Sequence, residues 1–248
     1  MPRRSNIREK GQSLMEFAMC ALFLVPMLAG AFTVGMSLTK AIQVGVVCRD
    51  ANVLAVRGID LANPQNKQLV VRLAKGLGMG LASGAPDPAG KGVVIISKVL
   101  RVGVPECDSV TTVNGAGVVV PDPRTTMVGG VLVASNTCTN YGYYVFSNRI
   151  VIGNPSQLSS TIGNPASSPD TYGDISLNNY VLNDGNRASG FPANSYIAPA
   201  PPALPVGGGL LYLNYSAYTY VAEAAFDISD INVFSILSAP KIFSRNVS

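Results

Sequence analysis

Polar residues nearly vanish early in this chain. A basic opening, with Arg3, Arg4, Arg8 and Lys10, gives way to a run from Phe17 to Thr39 without one charged side chain. Those 23 residues exceed the ~20 that a helix needs to cross the hydrocarbon core of a bilayer. Leu22, Phe23, Leu24, Val25, Met27 and Leu28 make the centre of the run strongly apolar. Pro26 would bend the helix or loosen one hydrogen bond, which membrane helices tolerate. Beyond Lys40 the spacing stays helical, with Ile42, Val46, Val53 and Val56 as apolar positions and Arg49, Asp50 and Arg57 as polar ones. The pattern predicts one helix from about Ser13 to about Asp60, half in a bilayer and half outside, or two helices broken at Gly45. The outer half is amphipathic and needs a surface to pack against.

A second, shorter helix is expected from Asn66 to Ser83, with Leu69, Val70, Leu73 and Leu77 as its apolar stripe. Gly76, Gly80 and Gly84 recur every four residues, which reads either as a smooth helical face or as a glycine-rich loop. Strand-like runs follow at Val93–Val104, Val128–Ala134, Tyr143–Ile152 and Leu210–Phe226. Four or five strands joined by turns fit an antiparallel sheet, and the outer half of the long helix is the natural cover for its apolar face. Between Gly153 and Gly209 the chain is rich in Asn, Pro, Ser and Gly, with a proline-rich piece at Ala198–Pro205. That composition predicts a long, solvent-exposed or partly disordered insertion. The fold class is therefore α+β: a long N-terminal transmembrane and amphipathic helix, a short second helix, and an antiparallel ectodomain sheet with an insertion.

Composition narrows the function. Of 248 residues, 13% are charged, and the net charge is +4. The excess sits in the first ten positions, so no basic face for nucleic acid is expected. Basic residues before the span place the N-terminus in the cytoplasm and the remainder outside, with one crossing. There is no His, which removes the imidazole general base and the commonest metal ligand. The carboxylates, among them Glu106, Asp108, Asp174, Glu223, Asp227 and Asp230, are scattered, and no nucleophile elbow or phosphate loop occurs. The chain reads as no enzyme, with no cofactor, no metal and no small-molecule substrate. Of the four cysteines, Cys20 and Cys48 lie in or just beyond the apolar run. Cys107 and Cys138 lie in turn-rich surroundings, where an extracytoplasmic location makes them a disulfide; the alternative is two free buried thiols. Asn214-Tyr215-Ser216 matches a glycosylation sequon in a strand-like setting.

The junction of leader and span holds one more feature. Gly11 ends the basic stretch, and Glu16 sits at the mouth of the apolar run, where a carboxylate is costly. The wording Gly11-Gln12-Ser13-Leu14-Met15-Glu16-Phe17-Ala18, followed by an apolar run with Pro26, resembles the TadE-like pseudopilins of the tight-adherence (Tad) type IV pilus system. Arg49-Asp50-Ala51 and Ala55-Val56-Arg57-Gly58 are similar to the Ala/Arg/Gly-rich stretch after the span in that family, although Asn52-Val53-Leu54 replaces its usual small residues. The similarity covers about residues 11–58. It implies cutting after Gly11 by a prepilin peptidase, leaving Gln12 as the mature N-terminus. It further implies that Glu16 meets the α-amino group of a neighbouring subunit and sets axial register.

The resulting organisation is a basic leader over residues 1–11, a helix over 12–60 and an extracytoplasmic α+β domain over 61–248, with its insertion at about 153–209. The expected function is a minor pilin-like subunit of the bacterial inner membrane. Its partners would be the prepilin peptidase, other pilin-like subunits, the assembly platform and the lipid bilayer. The competing reading is a signal-anchored or secreted binding or adhesion domain with no pilus role. It draws on Ala29-Gly30-Ala31, which matches a signal-peptide cleavage pattern that would cut after Ala31.

Overall fold

A computed structural model describes residues 7–191, 218–227 and 241–248. Its first element, α1 (Ile7–Val56), is a single helix of 50 residues that runs unbroken through Pro26 and Gly45. The break considered at Gly45 does not occur. The helix stops at Val56, short of Asp60, and the chain turns at Gly58.

α2 (Pro64–Leu73) begins at the expected place for a clear reason. The Asn63 side chain accepts a 2.9 Å hydrogen bond from the Gln65 amide, and Pro64, which has no amide hydrogen to satisfy, fills the first turn. It ends well before Ser83, in a 3-10 turn at Lys75–Leu77. Glycines 76, 78 and 80 lower helix propensity there by about 1 kcal/mol each relative to alanine. The buried stripe is Val70, Val71, Ala74 and Leu77, whereas Leu69 and Leu73, expected in the core, are exposed. Two short paired segments, β1 (Leu81–Ala82) and β2 (Ala85–Pro86), close this region.

Four longer strands form one antiparallel sheet: β3 (Gly92–Arg101), β8 (Tyr144–Gly153), β9 (Thr219–Asp227) and β10 (Lys241–Val247), in the order β10-β9-β3-β8. A register shift after Lys98 marks a bulge where β3 meets β8. The expected strand at Val128–Ala134 is instead the second half of a hairpin, β6 (Thr125–Val128) and β7 (Val131–Ala134). Gly129 and Gly130 turn it with φ of 58° and 82°, a conformation that side chains disfavour. Residues 210–217 of the last expected strand lie outside the described residues, as does the sequon at Asn214.

Between β3 and β8 the chain leaves the sheet. This excursion holds α3 (Val104–Asp108), the hairpin β4 (Thr111–Val113) with β5 (Val119–Pro121), and the β6–β7 hairpin. Its core gathers Leu100, Val102, Cys107, Val110, Cys138 and Val145, with Val181 from α4 (Leu177–Leu182).

The two faces of the sheet are covered differently. On one face Val94, Ile96, Ile152, Ala222, Ala224 and Phe226 pack under α1, α2 and the turn after it. The α1 residues that enter this core are Val44, Val47, Cys48, Ala51 and Ala55. They are not Ile42, Val46, Val53 and Val56, which are exposed. At ~100° per residue the two sets lie on opposite sides of the helix. The sheet takes the side with the smaller residues, because Cys48, Ala51 and Ala55 let helix and sheet approach closely. The opposite face of the sheet is covered by residues 158–191, part of the segment expected to be an exposed insertion. Ile162, Ile175 and Ala188 are buried there against Val99, Phe146 and Val221. Residues 192–209 of that insertion lie outside the described residues.

Candidate functional site

Gly11, Gln12 and Glu16 all fall on α1, within its first turns. Glu16 therefore stands about 7.5 Å along the axis from Gly11, at 1.5 Å per residue. Around it the helix is bare. Leu14 is 73% exposed, Phe17 75% and Met27 77%, and exposure of large apolar side chains continues to Ile42. This is the one helix among the described residues long and apolar enough to cross a membrane, by length and composition. In water, such a surface would cost on the order of 25 cal/mol for each Å² left unburied. A helix half made this way needs lipid or other helices.

Thr33 and Thr39 return their hydroxyls to the carbonyls of Ala29 (2.8 Å) and Gly35 (2.9 Å), so they present little polarity to the surroundings. The first charge after the run, Lys40, reaches back to the Gly76 carbonyl beyond α2. Lys40 thus marks where the helix enters the folded head. From there α1 advances along the sheet. The Cys48 thiol donates to the Ala222 carbonyl at 3.1 Å, and the Asn52 amide donates to Asn246 Oδ1 at 2.7 Å and Ser248 Oγ at 2.8 Å. Burial pushes the Cys48 thiol up to about 11, so it stays protonated at neutral pH.

Cys107 and Cys138 are joined in a disulfide, with Cα atoms 5.8 Å apart. The bond ties α3 to the segment just after the β6–β7 hairpin, whereas Glu16 stands on the bare half of α1, so the fold does not bring the two sets of candidate residues together. Cys48 is a buried free thiol, and Cys20 is an exposed one on the bare helix.

The expected carboxylates fill structural roles. Glu106 accepts from the Gly103 amide at 2.8 Å and caps α3, while Asp108 accepts from Thr125 Oγ1 at 3.0 Å. Glu223 is different. It is fully buried on the second face of the sheet, on central strand β9. Its Oε1 accepts from the Thr161 amide at 2.9 Å and from the Thr161 hydroxyl, and its Oε2 accepts from the Ser160 hydroxyl. Arg149, nearly buried on the neighbouring part of the same face, donates to the Gly163 carbonyl at 2.8 Å and to Asn164 Oδ1 at 2.7 Å. Burial lowers the Arg149 pKa, and the nearby Glu223 charge opposes that shift. The two charges hold residues 160–164 onto the sheet. The signal available in the sequence was a lone Glu in the otherwise apolar run Val221–Phe226.

Among the described residues no three His, Cys, Asp or Glu side chains gather as metal ligands. Compared with known proteins, the chain matches no family model, no curated protein and no solved structure.

Proposed function

We propose that this protein is a membrane-anchored minor pilin-like subunit, serving the assembly of a Tad-type pilus or secretion apparatus and cut by a prepilin peptidase after Gly11. The observation that carries the reading is the division of α1. One unbroken helix offers a bare apolar half headed by Glu16, then a half clasped by a sheet. The exposed residues Ile42, Val46, Val53 and Val56 extend the bare surface along the clasped half, interrupted by Arg49, which pairs with Asp50 at 3.3 Å. A plain anchor has no use for an apolar stripe outside the bilayer, whereas a subunit that packs helix against helix does. In that packing Glu16 gains a neighbour's α-amino group, because a carboxylate entering an apolar bundle needs an ionic partner.

Mass spectrometry of the mature protein from its own host tests the reading. An N-terminus at Gln12 is the expected result. One at Phe32 makes the protein a secreted binding domain, and an intact Met1 makes it a plain anchor. A Glu16→Ala variant should still be cut but should fail to co-purify with the assembly; normal incorporation overturns the role given to Glu16.

A further inference from the structure

A cleft of about 300 Å³ opens where α1 ends, between the loop Gly58–Leu61 and the α1-facing side of the sheet. It belongs neither to the bare helix nor to the disulfide region. Its apolar floor is Ala55, Ile59, Ile96 and Ile150, and its polar rim is Asp60, Lys98, Asn148, Tyr172, Asp174 and Tyr220.

The rim is held in place before any ligand arrives. Asn148 Nδ2 donates to Asp174 Oδ1 at 2.7 Å and to the Tyr172 carbonyl at 3.1 Å. Asp170 Oδ1 accepts from the amides of both Tyr172 and Asp174, each at 2.8 Å, which fixes the turn that carries them. Gly173 lets this turn lie against β8. Its φ is 82°, and a Cβ there would sit 2.8 Å from the Arg149 carbonyl oxygen. Lys98 is steadied by the Tyr218 ring, 3.7 Å from Nζ to the centroid. Tyr172 stands 64% exposed at the lip although it is a large aromatic.

Size and charge narrow the ligand. The volume lies at the small end of the range for small-molecule sites, about 300–1,000 Å³, and cannot take a helix or strand of another protein. Two carboxylates against one ammonium disfavour anions, so phosphates and acidic sugars are poor candidates. A simple amine would meet Lys98 on the same rim. A neutral polyol satisfies every group present. Each hydroxyl both donates and accepts, so it can serve Asp174 and the Asn148 amide oxygen, which accept, and Lys98, which only donates. The C–H face of a sugar ring then lies on Ile96 and Ile150 or against the Tyr172 ring. We infer that this cleft binds a neutral pyranose unit. The inference needs only the folded head and holds whichever way the N-terminus is processed.

Saturation-transfer NMR on the full chain in lipid nanodiscs is the test. The probes are methyl glycosides of glucose, galactose and mannose and N-acetylglucosamine, with glutamate and lysine as charged controls. At least one neutral glycoside should show transfer, and affinity should fall at least about tenfold in both Asp174→Asn and Tyr172→Ala, the size of one lost hydrogen bond or stacking contact. Tyr172 is largely exposed, so its variant should keep the wild-type thermal midpoint and report on binding alone. The idea is overturned by no transfer from any neutral glycoside, by transfer that both variants leave unchanged, or by stronger transfer from the charged controls.

Discussion

The two halves of α1 both carry apolar stripes, and those stripes meet opposite fates. Residues 14–42 keep their large side chains bare, while Val44, Val47, Cys48, Ala51 and Ala55 disappear under the sheet. Hydrophobicity alone does not separate them. Side-chain size does, together with what lies opposite: the covered stripe is small, and β9 answers it with Ala222 and Ala224. The larger residues on the other side of the same turns stay outside. The helix therefore carries two apolar stripes, one consumed by the fold and one left over for use.

The sharpest way to break this comparison is a charge on each stripe. Val44→Asp buries a carboxylate at a fully enclosed site and should cost more than about 4 kcal/mol. Val53→Asp, on the opposite stripe, should change stability by less than about 0.5 kcal/mol. Urea unfolding of both variants decides it, and equal losses would erase the distinction between stripes. Next in size is the disulfide. Cys107→Ser with Cys138→Ser reopens a loop of 31 residues and should cost about 3–4 kcal/mol by loop entropy. Hydrogen exchange should then quicken first in α3 and the hairpins, before the half of α1 under the sheet. Glu223→Ala removes the acceptor of three hydrogen bonds beside a buried Arg149. A loss of about 2–4 kcal/mol is expected, with amides 160–164 exchanging faster.

The smallest effect is a pH dependence. The folded Cys48 thiol titrates at about 11, above its ordinary value of 9.0. The native state therefore holds a proton that the unfolded chain has released, and the stability present below pH 9 is lost as pH rises toward 11. A Cys48→Ala variant should show a shallower alkaline decline across that window when thermal midpoints are followed against pH. Identical slopes would mean that this thiol is not sealed beneath β9 and β10.

The long helix, the antiparallel sheet with strands near 93–104 and 143–152, and the pairing of Cys107 with Cys138 were all legible in the sequence. Each rests on a strong local signal: an uncharged run, β-branched stretches, or two cysteines in a polar setting. What stayed hidden depended on partners distant in the chain. The stripe Ile42–Val56 has good helical spacing, yet the sheet chose the smaller residues opposite. β10 was not expected, because its inward positions beyond Ile242 are Ser244 and Asn246. Asn246 is the acceptor for buried Asn52, while Phe243 and Val247 point away from α1 and remain partly exposed. Polar in and apolar out inverts the usual strand pattern. The polar composition of 153–191 likewise hid four well-spaced anchors, Ile162, Ile175, Val181 and Ala188, which suffice to seat it. Of the candidate residues, Gly11 and Glu16 stand out in the sequence as a glycine and a lone carboxylate where the basic leader meets the apolar run. The Arg149–Glu223 pair could not, since 74 positions separate residues that only the sheet brings together.

The strand order has a consequence in time. Cys48 meets Ala222 across 174 residues of chain. At about 5–20 residues per second, a ribosome needs roughly 10–35 s to supply that cover after the helix is made. The β3–β8 pair can close in that interval, while β9, which adds to the free edge of β3, and β10, which then adds to β9, are still to come. Nascent chains thus pass through a stage in which the head is half built and its helix-facing groove is open and sticky. Cells that make this protein must shield that groove until the last strands arrive, and any truncation before Thr219 leaves it open permanently.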